Sequence, residues 1–249
     1  MNRVTTRWCI ACVAVVCAPL VFAQTLSPSQ QRLRDIYQEL VEINTTHSAG
    51  DTTQAARAMA ARLKAGGFTD ADLHIIVPPN APKKGNLVAR LSGTGAASTG
   101  GKKPLLLLAH IDVVEAKRTD WQRDPFKLIE EGGYFYARGA ADDKSMAAVF
   151  VANLIEMKQS GFRPARDIVL ALTADEEIIP SPFNGVEYLL KNHRNLIDAE
   201  LALNEGGGGL IDRGGKYRYH GVQAGEKVFQ TYRLEVTHPG GHSARPLPD

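Results

Sequence analysis

Four short apolar runs with the composition of β-strands alternate with helical stretches through the middle of this 249-residue chain. The β-like runs are PLLLLAH (104–110), GGYFYARG (132–139), DIVLALTADEE (167–177) and AELALNEG (199–206). The helical stretches between them cover 142–161 and 183–193. Strands that alternate with helices in this way predict an α/β fold, in which helices cover the faces of one sheet.

The segment before these runs adds two helices and two strands to the prediction. Ser27 is suited to cap the first helix and Pro28 to occupy its first turn, while Asp51 is suited to cap the second helix. Short β-like runs follow at 73–77 and 86–91.

The first 23 residues have the pattern of a cleaved export signal. Arg3 and Arg7 form a positive end, an apolar run follows, and Ala23 provides a small residue before a cut at Gln24. A membrane anchor is the alternative, but the apolar run is shorter than the roughly 20 residues that a span needs. We therefore predict a signal peptide over 1–23, no stable membrane anchor, and an exported protein that is periplasmic or secreted.

The composition excludes several kinds of chemistry. All three cysteines lie in the signal segment, so the mature chain has no disulfide and no thiolate nucleophile, and it must hold any metal with His, Asp and Glu. Without Arg3 and Arg7 the basic side chains number 27, equal to the 27 acidic ones. This balance indicates neither a nucleic-acid partner nor an anionic membrane surface.

Each of the four β-like runs in the middle of the chain ends in residue types that bind metals. In order, these residues are His110 with Asp112, Asp142, Glu176 with Glu177, and Glu205. In open α/β sheets, sites form outside the carboxyl ends of the strands. One histidine and several carboxylates are therefore expected to converge at one edge of the sheet.

Each of these signals also has a simpler structural explanation. His110 and Asp112 can point to the same side of a strand, where the carboxylate could orient the ring, but a lone pair of this kind more often marks a structural histidine. Asp142 and Asp143 stand where a helix begins and could simply cap it. The glycines that follow Glu205 suit a close backbone approach or merely a flexible turn.

The three consecutive acids at 175–177 are harder to explain structurally. They follow an apolar strand directly and would repel one another unless they are solvated or paired with cations. One of them is suited to bind a metal while its neighbour takes a proton from water. Order, spacing and strand-end position together favour a metal site over four separate structural explanations.

The ordered motifs resemble those of a known family. They are LLAHIDVV (107–114), WQRDPF (121–126), YARGAADDKSMAA (136–148), LTADEE (172–177), LNEGGGG (203–209) and GGHSARP (240–246). The chain resembles the co-catalytic zinc metallopeptidases that include glutamate carboxypeptidase, aminoacylase, acetylornithine deacetylase and succinyl-diaminopimelate desuccinylase. The last two motifs, with GEK at 225–227, are most similar to the carboxypeptidase S subgroup.

The resemblance implies a role for seven side chains in a site with two Zn²⁺ ions, for which Co²⁺ or Mn²⁺ are alternatives. The metal ligands would be Asp142, which bridges both ions, His110 and Glu205 for the first ion, and Glu177 for the second. The other three would be Asp112, which braces His110, Glu176 as the general base, and His242, which reaches the site of a partner subunit and helps to stabilise the oxyanion.

The resemblance also implies a fold and an activity. We expect a mixed, largely parallel sheet in a catalytic domain over 24–212, and the start of a smaller α+β lid and dimerisation domain over 213–249. The implied reaction is hydrolysis of peptide or N-acyl amino-acid amide bonds, of carboxypeptidase or aminoacylase type, by an enzyme that is a homodimer at full length.

Two features leave alternatives open. The family's second zinc takes another histidine from a segment beyond the lid, and this sequence ends at Asp249. We therefore expect an N-terminal portion of such an enzyme, with weak activity or none by itself. The alternatives are a related di-zinc aminopeptidase and an inactive exported metal-binding fragment.

Overall fold

The computed structural model describes residues 25–95, 101–222, 225, 230–235, 237 and 240–241. The predicted signal peptide and His242 therefore lie outside the described residues. The chain divides into two compact units, Met1–Leu203 and Asn204–Asp249. The domain bounds of 24–212 and 213–249 stay a prediction.

The described residues form five helices and nine strands. The helices are α1 (Pro28–Glu42), α2 (Thr52–Ala65), α3 (Lys144–Gln159), α4 (Gly185–Asn192) and α5 (Arg194–Ile197). The strands are β1 (Leu73–Ile76), β2 (Asn86–Leu91), β3 (Leu105–His110), β4 (Ile129–Glu131), β5 (Tyr134–Tyr136), β6 (Ile168–Thr173), β7 (Leu201–Leu203), β8 (Gly208–Ile211) and β9 (Tyr217–Gly221). Every helix among the described residues is too short or too polar to cross a bilayer.

The first unit is built on a mixed five-stranded sheet with the order β1-β2-β6-β3-β7. The β1–β2 and β2–β6 pairs are antiparallel, whereas β3 is parallel to both β6 and β7. Every residue of the central strand β6 is buried, which agrees with its continuous apolar sequence. The predicted mixed α/β architecture is confirmed, with its parallel part formed by β6, β3 and β7.

Helices cover both faces of this sheet, as the sequence predicted. Leu170 and Leu172 of β6 pack into the core that α1, α2 and α3 share. Val169 and Ala171 of the same strand face the opposite way and pack with Leu189 of α4 and with α5. Successive strand residues point to opposite faces, so one apolar strand serves two cores.

The local signals at the helix starts act as the sequence indicates. The Ser27 hydroxyl accepts a hydrogen bond from the Gln30 amide at 3.3 Å, the Gln30 side chain accepts one from the Ser27 amide, and Pro28 is the first residue of α1. The Asp51 carboxylate accepts one from the Gln54 amide at 2.9 Å and so caps α2.

One predicted strand lies outside the main sheet. The run GGYFYARG contains β5, which pairs with β4 in a two-stranded hairpin. Gly132 and Gly133 adopt positive φ angles at its turn, and the side chain of Tyr134 is largely exposed. The aromatic composition resembles that of a buried strand, but here it covers the outside of the first unit. Asp142 therefore does not follow a strand of the main sheet.

The described part of the second unit contains the antiparallel pair β8–β9. Its register is interrupted by a bulge between Leu210 and Ile211.

Candidate metal centre

His110 is the last residue of β3, and its ring is buried. Nδ1 lies 3.0 Å from the main-chain oxygen of Asp112, and Nε2 lies 2.8 Å from Oδ1 of Asp142. Because a carbonyl oxygen only accepts, Nδ1 carries the hydrogen, and this bond fixes the ring. Nε2 and the Asp142 carboxylate oxygen face each other, and an imidazole nitrogen beside a carboxylate is a donor pair that binds divalent cations in proteins.

Asp112 is buried and connects the ends of two neighbouring parallel strands, β3 and β6. Its two carboxylate oxygens accept hydrogen bonds from the main-chain amides of Glu176 and Glu177, both at 3.1 Å. The nearer carboxylate oxygen is 3.6 Å from Nδ1 of His110. The residue thus holds the histidine through its main-chain oxygen, and it uses its carboxylate to fix the two glutamates. From the sequence we expected Asp112 to orient the His110 ring, but with its carboxylate. Its contacts with the two glutamates were not expected.

Glu176 and Glu177 follow β6 after a two-residue turn, at the same edge of the sheet as His110. Glu176 is exposed, whereas Glu177 is partly buried. Burial raises the pKa of the Glu177 carboxyl above its usual range, and the negative charge of Asp142 raises it further. A cation between these carboxylates would remove their mutual repulsion.

Asp142 precedes α3 directly, with a side chain that is 64% exposed. The helix cap is Asp143, whose side chain makes no capping hydrogen bond, so capping does not account for this pair of acids. The next residue, Lys144, is fully buried and donates from Nζ to the main-chain oxygen of Ile43 at 2.7 Å. Lys144 therefore ties the start of α3, and with it Asp142, to the end of α1.

In the first unit, the structure places the His110 ring beside the Asp142 carboxylate, and it places the Asp112 carboxylate against the main-chain amides of Glu176 and Glu177. Glu205 belongs to the second unit, where it lies exposed between β7 and β8. His242 lies outside the described residues. The individual roles of all seven residues stay predictions.

Sequence reasoning assigned no role to three residues around this site. Lys144 lies within the AADDK motif, so the sequence indicated that it is near the site, but it did not indicate that its side chain is buried. Asp175 precedes the two glutamates, and its Oδ1 pairs with Lys84, which lies 91 residues earlier in the chain. No local sequence signal indicates Lys84.

The residues present fit a divalent metal ion of the zinc type. Zinc takes imidazole nitrogen and carboxylate oxygen in proteins, and His110 and Asp142 offer one of each, 2.8 Å apart. Burial and the charge of Asp142 raise the pKa of Glu177, and a cation bound beside these acids would offset the charge repulsion.

The description "Peptidase family M20/M25/M40" belongs to a family model that matches residues 106–244, more than half of the chain. The chain belongs to this family. The match confirms the family resemblance. An acetylornithine deacetylase and an aminoacylase are among the proteins similar to this chain.

Curated relatives are similar over part of the chain. An N-fatty-acyl-amino acid synthase/hydrolase PM20D1 from Xenopus tropicalis is 32% identical over 150 residues, covering 57% of this chain and 28% of that protein. A Beta-Ala-Xaa dipeptidase from Lactobacillus delbrueckii subsp. lactis is 39% identical over 93 residues, covering 37% and 19%. Aminoacylase-1A from Rattus norvegicus is 35% identical over 104 residues, covering 41% and 25%. The chain thus spans less than a third of the length of these relatives.

Solved structures support the fold. The M20 family metallo-carboxypeptidase Sso-CP2 from Sulfolobus solfataricus matches with a TM-score of 0.58 and 20% identity, over 75% of this chain and 39% of that one. Human carnosine dipeptidase 1 matches with a TM-score of 0.53 and 20% identity, over 70% of this chain and 38% of that one.

Proposed function

We propose that this chain carries the catalytic residues of an exported, metal-dependent amide hydrolase. Its reaction is cleavage of peptide or N-acyl amino-acid bonds, of the carboxypeptidase or aminoacylase type. The observation that carries the proposal is the direct approach of His110 to Asp142 at 2.8 Å, beside a glutamate pair that Asp112 fixes, in a chain of the M20 family.

The proposed site holds two Zn²⁺ ions, with Co²⁺ or Mn²⁺ as alternatives. Its ligands are His110, Asp142, Glu177 and Glu205. Bound ions of this kind lower the pKa of a water molecule and stabilise negative charge on a carbonyl oxygen. The family resemblance supports the number of ions and the inclusion of Glu205.

The proton transfers in this reaction belong to Glu176. Its carboxylate is exposed, while its main-chain amide is fixed by the buried Asp112. Glu176 accepts a proton from the attacking water and delivers it to the leaving nitrogen. Asp112 fixes the positions of Glu176 and Glu177 relative to the ring of His110, because it contacts all three residues. His242 of a partner subunit would add a donor for the oxyanion.

The substrate class follows from the family and from the similar proteins. A Beta-Ala-Xaa dipeptidase and an N-fatty-acyl-amino acid synthase/hydrolase are both named for amides of amino acids. We propose that the present chain also acts on amides of amino acids, without assigning it either of these particular substrates. A signal peptide over 1–23, export to the periplasm or medium, and a homodimer at full length complete the proposal.

Metal content and hydrolysis test the proposal together. The purified chain is incubated with zinc, freed of excess, and analysed for zinc per chain by atomic emission. We expect at least one zinc ion per unmodified chain and less zinc in His110→Ala, and a matched His193→Ala control at the end of α4 should bind as much as the unmodified chain. A chain that holds no zinc, or a His110→Ala variant that holds all of it, would contradict the proposal.

Substrate panels separate the alternatives that the sequence left open. The zinc-loaded chain is offered N-acetyl amino acids, dipeptides and amino-acid amides with a free amine, with and without a chelator. We expect weak, chelator-sensitive hydrolysis of the first two classes. Preference for amides with a free amine would favour an aminopeptidase, and full metal content with no hydrolysis of any class would favour a metal-binding fragment.

A further inference from the structure

Asp175 has an unusual backbone conformation at the point where β6 leads into the glutamate pair. Its φ angle is +56°, and it is the one non-glycine residue with positive φ in the part of the chain that the structure describes. L-residues rarely adopt this left-handed region, although aspartate does so more readily than most. The residue is also completely buried. A buried, charged residue in a strained conformation persists only where its surroundings hold it there.

Three residues hold Asp175 in this conformation. Lys84 Nζ lies 2.5 Å from its Oδ1, the Ser181 hydroxyl donates to its Oδ2 at 2.7 Å, and the side-chain amide of Asn184 donates to its main-chain oxygen at 3.2 Å. Each oxygen of the residue therefore has a donor. The Lys84 side chain is only 12% exposed, so this ion pair is largely shielded from water.

The ion pair continues the register of the sheet. Leu87 of β2 lies opposite Leu172 of β6, and Lys84 and Asp175 are each three residues beyond that antiparallel pair. The sheet itself thus places the lysine beside the aspartate. In the sheet, β6 lies between β2 and β3. The segment after β6 is therefore supported by Lys84 from the β2 side.

A second support comes from the β3 side. The Asp112 carboxylate receives the amides of Glu176 and Glu177, which directly follow Asp175. The three consecutive acids are therefore held from two directions: Asp175 by Lys84, and the two glutamate amides by Asp112. Asp175, with its left-handed backbone conformation, lies in the chain between β6 and the two glutamates that Asp112 holds.

We propose that Asp175 is a positioning residue for Glu176 and Glu177, and that its ion pair with Lys84 sets the conformation in which Asp112 receives both glutamate amides. The kinetic and metal-binding consequences rest on the proposed function, because they assume that Glu177 binds a metal and Glu176 moves a proton. The conformational consequence does not, because it concerns only the chain's own hydrogen bonds.

Three substitutions separate the backbone from the side chain. Asp175→Asn keeps a residue that tolerates the left-handed region but removes the charge that Lys84 faces. Asp175→Gly adopts the conformation without strain but loses both side-chain contacts. Asp175→Ala loses the contacts and also disfavours the conformation. We expect the amide exchange rates of Glu176 and Glu177 to increase in the order Asp175→Asn, Asp175→Gly, Asp175→Ala. If only the backbone conformation of residue 175 mattered, Asp175→Gly would exchange at the rate of the unmodified chain.

Asp167→Asn is a matched control. Asp167 is also buried and pairs with a cation of β2, Arg90, at 2.7 Å, but it precedes β6 and so lies at the opposite end of that strand. Its loss should lower the midpoint of urea unfolding in the same way as loss of Asp175 while leaving the glutamate pair undisturbed.

The first measurement is amide hydrogen exchange of Glu176 and Glu177 in the metal-free chain. We expect both amides to exchange at least about tenfold faster in Asp175→Gly and Asp175→Ala, and at the original rate in Asp167→Asn. Ser181→Ala, which removes a single contact, provides a milder variant if the others fail to fold, and it should produce a smaller increase at the same amides. Unchanged exchange at Glu176 and Glu177 in the folded variants overturns the proposal.

The second measurement is titration with Co²⁺, followed by visible absorption. We expect Asp175→Gly to weaken binding roughly 10- to 100-fold and to alter the cobalt spectrum, as loss of a residue that orients metal ligands typically does. Faster exchange with an unchanged affinity and spectrum would make Asp175 structural only and overturn its positioning role. If the unmodified chain binds no cobalt, the proposed function fails, and the exchange measurement alone decides the conformational claim.

Discussion

Lys144 donates a hydrogen bond from its Nζ to the main-chain oxygen of Ile43, and this contact joins the start of α3 to the end of α1. Burial of the amine lowers its pKa to about 7, and the charge of Asp112 opposes that shift. Lys144 lies two residues after Asp142 in the same motif, so it links the candidate metal centre to the core.

Loss of this lysine should destabilise the first unit. Lys144→Ala removes a fully buried side chain and its hydrogen bond, and we expect the free energy of unfolding to fall by roughly 2–5 kcal/mol. Lys144→Met keeps most of the volume and should cost less. Urea unfolding of the metal-free chain measures both. Equal stability of Lys144→Ala and the unmodified chain would show that neither the packing nor the bond contributes.

The same lysine should produce a pH dependence of stability. Its pKa is about 7 in the folded chain and near 10.5 when unfolded, so between these values the unfolded state binds more protons. The free energy of unfolding should therefore increase with pH from about 7 toward 10.5, relative to that of Lys144→Met. Urea unfolding at intervals across this range, with a chelator present, measures the difference. A constant difference would contradict the shifted pKa.

Glu176→Gln should separate proton transfer from metal binding. The substitution keeps the size of the side chain and the main-chain bond to Asp112, but the amide cannot accept the proton of water. We expect zinc content to stay unchanged and hydrolysis to fall by roughly 10²–10⁴-fold. Glu187→Gln, on the first turn of α4, is the matched control. Undiminished hydrolysis in Glu176→Gln would exclude the general-base role.

Asp112→Asn should weaken metal binding without removing a ligand. An amide side chain offers one accepting oxygen to the two amides that the carboxylate now receives, so one of the two glutamates loses its support. The bond from His110 to the main-chain oxygen of residue 112 remains. We expect zinc affinity to fall roughly 10- to 100-fold. Asp51→Asn, which preserves a helix cap, should bind as tightly as the unmodified chain.

Glu115 should contribute stability that is lost in acid. The Ser48 amide and hydroxyl donate to its carboxylate and lower its pKa below the usual value. A lowered folded pKa stabilises the fold above the unfolded pKa of about 4.5, and this contribution disappears as the pH falls through the folded pKa. Unfolding free energies of Glu115→Gln and the unmodified chain should therefore differ most near neutrality and converge as the pH falls through the folded pKa of Glu115. Ser48→Ala should reduce the difference.

Much of the fold follows from short-range features of the sequence. Ser27 and Asp51 begin their helices because their side-chain oxygens accept hydrogen bonds from amides only three residues away. The continuous apolar run of β6 indicates a strand that is buried on both faces. The positions of His110 and of the two glutamates at the ends of neighbouring parallel strands follow from the same alternation of strands and helices.

Contacts between distant residues were decided only by the tertiary structure. The aromatic run of β5 has a strand-like composition, but its pairing with β4 places it outside the main sheet. Lys84 and Asp175 meet because β2 and β6 are antiparallel neighbours, and Lys144 reaches Ile43 because α1 packs against α3. Helix caps and strand periodicity act over a few residues, whereas a buried ion pair depends on strand order and register. Local sequence therefore determined which residue types stand at the strand ends, and the packing of the sheet decided what holds them there.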